Sequence, residues 1–104
     1  ENVQSISNGI GLVKTLNPVN FDWIETGQNV NGFLAHEVQT VVPEAVTGTH
    51  NEVDDEGNPV YQGIDQSKLV PLLTGALQEA IAKIETLETT VADLQTRVTA
   101  LEAP

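Results

Sequence analysis

The apolar positions in the last third of the chain fall into two interleaved rows. Val70, Leu77, Ile84, Val91 and Val98 recur every seven residues, and Leu73, Ala80, Leu87, Leu94 and Leu101 repeat the spacing three residues later. Alternating steps of three and four put both rows on one narrow stripe of a helix, which a partner helix must cover. With the first row at a and the second at d, the spacing predicts one helix from about Val70 to Leu101. At about 1.5 Å per residue it would be roughly 48 Å long. That length overreaches a head made of residues 1–67, so residues 68–104 read as an oligomerisation stalk. A helix packed on its own head would instead carry a broader stripe and fewer strict heptads.

Shorter periods organise the head. Ile6, Ile10, Val13 and Leu16 share a helical face, with Ser7 as the expected cap and Gly9 and Gly11 weakening the helix. Asn17-Pro18 breaks it, and Val19, Phe21 and Trp23 then alternate with Asn20 and Asp22 as in a half-buried strand ending in a turn at 26–29. A second helix is expected from Phe33 to Val41, with Leu34, Val38 and Val41 on its buried side, stopped by Pro43. Two β-prone runs, 45–53 and 60–64, flank Asp54-Asp55-Glu56-Gly57-Asn58-Pro59 and predict a hairpin with an acidic tip. Asp65 or Ser67 should open the last helix through a lead-in turn, because Pro71 is tolerated only near its start. The fold class is α+β: a small head with short helices and a hairpin, then a long C-terminal helix.

Charge sharpens the stalk reading. With the seam fixed, Lys83 and Arg97 occupy g positions, and Glu88 and Glu102 occupy e positions five residues later. In a parallel, in-register bundle each g residue faces its neighbour's e residue, so Lys83 would meet Glu88 and Arg97 would meet Glu102. Both pairings have opposite sign and favour a parallel arrangement. Strand number stays open on these residues. Ile or Val at a with Leu at d leans to dimers, whereas Ile81 at e widens the apolar surface towards a trimer.

Of the net charge of −11, the head supplies −9, ten acidic groups against Lys14 alone. That balance argues against a nucleic-acid partner, since phosphate binding needs clustered Lys and Arg. With no cysteine, disulfides and thiolate metal sites are excluded. No apolar run reaches the length of a membrane span, and no leader pattern opens the chain. A head of this size is near the lower limit for a self-sufficient core, so subunit contacts are expected to supply much of its burial.

Candidate chemistry is thin. His36-Glu37 is half of a zinc-protease motif, but Thr40 stands where the second histidine belongs. Glu52, Asp54 and Glu56 precede Gly57 as in part of a calcium loop, but Gly63 occupies the place of the terminal acid. No Ser–His–Asp grouping can be assembled, and no cofactor or metal is expected.

Three stretches in order resemble the S74 peptidase family, the C-terminal intramolecular chaperone domains of phage tail spikes, tail fibres and neck appendages. They are Pro18 to Trp23, Gly32 to Val38 followed by Val42 to Val46, and Gly63 to Leu73. The resemblance covers nearly the whole chain and implies a homotrimer, tipping the stalk towards three strands. It further implies that the domain brings three chains into register so that an upstream β-rich fibre can intertwine, and then releases itself by autoproteolysis. Alignment of long chains is entropically costly, and a stable trimer raises their effective concentration.

The family's Ser/Lys dyad belongs to a stretch expected to lie before Glu1. Ser5 and Ser7 lack the required lysine, Lys14 being in a different context, so no catalytic residue is carried over and this chain is expected to be inactive. The family often has an aromatic where Gln66 stands. The implied location is the host cytoplasm during phage assembly, with the domain absent from the virion tail or left at its tip. The alternatives are a receptor-binding tip retained on the mature fibre and an active self-cleaving peptidase.

Overall fold

A computed structural model describes residues 1–103. It is an α+β head from which a single long helix projects, giving extents of 83 × 41 × 17 Å. Helix α1 spans Gly9–Val13 and is followed by a hairpin of β1 (Val19–Asp22) and β2 (Asn29–Gly32). Helix α2 (Ala35–Gln39) and a 3-10 turn at Pro43–Ala45 lead into a second hairpin of β3 (Val46–Thr47) and β4 (Gly63–Ile64). A 3-10 turn at Gln66–Leu69 then opens α3 (Val70–Glu102).

The first helix starts later than the sequence suggests. Its N-cap is Asn8, in the left-handed region at φ 57°, and not Ser7. Asparagine tolerates that backbone better than serine. Ile6 is thereby left outside the helix, while Leu12, Val13 and Leu16 pack against the core. Strand β2 was not expected. Its residues Asn29-Val30-Asn31-Gly32 hold one apolar side chain, too few to show a period of two. It forms because β1 provides an antiparallel partner in the register Val19↔Gly32, Phe21↔Val30. The outward face carries an amide ladder in which Asn20 Nδ2 donates to Asn29 Oδ1 at 2.8 Å and to Asn31 Oδ1 at 2.9 Å. Trp23 lies just past β1 and is exposed.

Helix α2 is shorter than the expected 33–41. Leu34 is its extended N-cap and is 41% exposed, not buried, whereas Val38 is buried and Val42 joins it. Pro43 opens the 3-10 turn at its first position, where the missing N–H costs nothing. The second hairpin is paired at its base, Val46↔Ile64 and Thr47↔Gly63, and again near its tip at Val53↔Pro59. Between these the runs 45–53 and 60–64 do not form continuous strands, because Gly48 (φ 84°) and Asn51 (φ 60°) turn the chain out of the ladder. At the acidic tip, Asp54 Oδ1 accepts from the N–H groups of Glu56 and Asn58, both at 2.9 Å. That carboxylate is committed to holding its own turn.

The core is small: Val38, Val42, Ala45, Val46, Leu69 and Leu72. Two of these belong to the lead-in turn and first turn of the last helix, so the base of α3 is part of the head's interior. Asp65 caps the lead-in, its Oδ1 accepting from Ser67 N–H at 3.1 Å and from Ser67 Oγ–H at 2.6 Å. The Ser67 hydroxyl is the main reason its carboxyl is held below the ordinary value of 3.8; it outweighs the opposing desolvation, with lesser help from the Ser67 N–H and Lys68.

Candidate oligomerisation surface

The side of α3 that the head covers can be read residue by residue. Leu69, Leu72 and Ala76 are buried. Glu79 Oε2 accepts from the Ile10 N–H at 3.2 Å, and Ile6 lies over Gly75, 3.7 Å from where a Cβ there would stand. The closest approach is at Gly9, where an added Cβ would be 2.8 Å from Ala76 N. In the heptad these residues are g, c, g, c and f. At 3.6 residues per turn those letters are adjacent, so the head occupies one continuous arc f–c–g. The opposite arc, d–a–e–b, is left open.

The seam lies in that open arc. Leu77 and Leu87 are 62% and 61% exposed, and Leu73, Ile84, Val91, Leu94, Val98 and Leu101 are exposed as well. Ala80 is half-buried at the edge of the head. Every residue from Ile81 to Ala103 is exposed, so no part of the head buries the distal helix. Threonines on the f–c–g side, away from the seam, are accommodated by back-bonding: Thr86, Thr89, Thr90 and Thr96 each donate to the carbonyl four residues earlier at 3.0–3.1 Å. Isolated helices rarely persist in water on propensity alone, and most draw their stability from a packed apolar face. The exposed apolar row is what makes this face the candidate contact surface.

The charged positions sit beside it. Within the single chain Lys83 Nζ lies 4.0 Å from Glu79 Oε1, and Arg97 Nε lies 3.2 Å from Asp93 Oδ2, both one turn back. Among the described residues Glu88 and Glu102 form no intrachain ion pair. Both cations are well exposed, so these helical pairs are weak and easily exchanged for others.

The head adds a second apolar surface that the sequence did not mark as continuous. Phe21 and Trp23 meet edge to face with ring centroids 5.1 Å apart, and Phe21 also lies over Gly32. Trp23, Ile24, Phe21 and Tyr61 line one cleft between the two hairpins. Ile24 is almost wholly exposed. On the other side of Trp23, His36 and His50 stack with centroids 4.1 Å apart. No periodicity links residues 36 and 50, and only the path of the second hairpin joins them. Among the described residues no three His, Asp or Glu side chains gather to hold a metal ion, and no helix is long and apolar enough to cross a membrane. Ser5, Ser7 and Lys14 are all on the exposed surface of the head.

Residues 1–47 match the family Peptidase_S74, chaperone of endosialidase. This is the family that the three sequence motifs resemble, and it supports a chaperone role. The match spans α1, the first hairpin, α2 and β3. The stretch from Gly63 to Leu73, which the resemblance also drew on, lies beyond the matched residues. No curated protein matches the chain.

Proposed function

We propose that this chain is an intramolecular chaperone that trimerises through α3, three helices side by side and parallel, and holds the upstream part of a phage tail fibre or spike in register. The observation that carries the reading is the open arc: the head covers f–c–g and leaves the whole a/d seam free. Lys83 and Arg97 then have Glu88 and Glu102 of neighbouring chains as partners in place of the weak intrachain ones. The S74 match supports the chaperone role; three strands and release by autoproteolysis are what resemblance to that family implies. The domain would act in the host cytoplasm during assembly.

Sedimentation equilibrium at micromolar concentration tests the assembly. A trimer is expected, and a monomer would overturn the reading. Fusion to a β-helical fibre fragment tests the chaperone role, with higher trimer yield expected and no gain counting against it.

The exposed cleft of Trp23, Ile24 and Tyr61 favours a second reading, a receptor-binding tip that stays on the fibre. Mass spectrometry of mature particles separates the two, since a retained domain favours adhesion and an absent one favours chaperoning.

A further inference from the structure

Resting on the parallel assembly above, we infer that the head of each chain is itself part of the interface, with α1 forming a seat for Ile81 of the neighbouring chain. The argument starts from register. In a parallel bundle the g residue of one chain faces the e residue five positions later in the next. Applied along α3, that rule pairs Lys83 with Glu88, Thr90 with Gln95 and Arg97 with Glu102: opposite charges, two neutral polar groups, and opposite charges again. The same step one heptad closer to the head pairs Ala76 with Ile81.

Ala76 is not free to receive it. Gly9 sits directly on it, close enough that an added Cβ would be 2.8 Å from Ala76 N and 3.2 Å from its Cβ. The place beside Ala76 where a neighbour's e side chain would rest is thus walled by α1. Ile10, the next residue, is fixed at the level of Glu79 by its N–H bond to that carboxylate. Its side chain is only partly covered and is not among those packed on the head's core. Ile81 is 44% exposed and has the head on the far side of its own helix. Each chain therefore presents one apolar side chain on the open e edge and, on the head, a partly covered Ile10 next to the Gly9 that walls the g residue Ala76. In a closed ring of three, every head would clamp the next helix.

The chain has no cysteine, so a disulfide can report this contact cleanly. The double variant Ile10→Cys with Ile81→Cys should, on mild oxidation, run as covalently joined chains up to three on a denaturing gel, whereas either single variant should run as one. Ile10 and Ile81 flank opposite sides of their own helix, so a bond within one chain is not expected. A variant that sediments as a trimer but stays uncrosslinked would overturn the head-to-helix contact and leave the trimeric reading standing. One that sediments as a monomer before oxidation would overturn both. As a second measure, Ile10→Ser should raise the dissociation concentration roughly tenfold, as expected for loss of a buried apolar side chain. An unchanged value with a folded head would also overturn the inference.

Discussion

The base of α3 and its distal two-thirds carry one uninterrupted heptad in two different settings. From Leu69 to Glu79 the helix is walled on its outer side by the head, which buries Leu69, Leu72 and Ala76. From Ile81 to Ala103 every residue is exposed. The a/d rows run through both regions without adjusting to the change. On the proposed assembly the seam residues meet neighbouring chains, and the head leaves them free. The base would then serve two interfaces at once, one internal and one external, on opposite sides of the same helix. The distal part would have only the external one.

The strongest way to break that comparison is to put a carboxylate on each side of the helix. Leu87→Asp or Leu94→Asp, on the distal seam, should dissociate the assembly, because an unpaired carboxylate in a packed interface costs about 3–5 kcal/mol per chain. Sedimentation should show monomers, while near-ultraviolet signals from Trp23 and Tyr61 should report a head that is still folded. Leu72→Asp, on the head side of the base, should instead lose those head signals. If both variants gave the same phenotype, the two sides of α3 would not be separable. A smaller effect is expected at the point of closest packing. Gly9→Val forces a side chain into the backbone of Ala76, and overpacking of this kind costs about 1–3 kcal/mol. The thermal midpoint of the head should fall while the helix content of the distal region is retained.

These regions also differ in how much of them could be read from the sequence. The long helix, its start near Pro71 and the lead-in turn capped by Asp65 follow from patterns repeated over many residues or from one residue with few options. Short elements do not offer that redundancy. Strand β2 holds a single apolar residue and exists because β1 lies beside it, so its cause is a partner and not a period. Asn8 displaced Ser7 as the cap of α1 because only the three-dimensional path shows that the position needs a left-handed backbone. The stacking of His36 on His50 and the cleft around Trp23 join residues far apart in sequence, which no local rule can connect. For the candidate surface, the heptad marked the seam, but only the structure shows that the head leaves it open.

Charge exchange gives a finer test. Lys83→Glu removes the intrachain pair with Glu79 and, in a parallel bundle, places like charges at the position facing Glu88. Exposed pairs are worth about 0.2–1 kcal/mol each, so the association should weaken measurably only through its threefold repetition, and less so in high salt. Adding Glu88→Lys should restore it. Restoration would identify the contact as one between chains, because the double variant does not rebuild the pair with residue 79.

The smallest effect is expected where the head hands over to the helix. Asp65 joins the two regions by accepting from Ser67, and its carboxyl is lower in the folded chain than its ordinary value of 3.8. A group depressed on folding contributes stability that is fully present above its unfolded value and is lost as the pH falls through the folded one. The cap should therefore be intact at neutral pH and fail only in acid, below about 3.8. Asp65→Ala should lower the thermal midpoint slightly at pH 7, and the gap from the parent chain should close as the pH is taken below that value. Because the other carboxylates titrate in both proteins, the difference between the two melting curves isolates this one. A gap that persisted in strong acid would mean that the side chain acts there through shape rather than charge. The junction would then owe its rigidity to Leu69 and Leu72 alone.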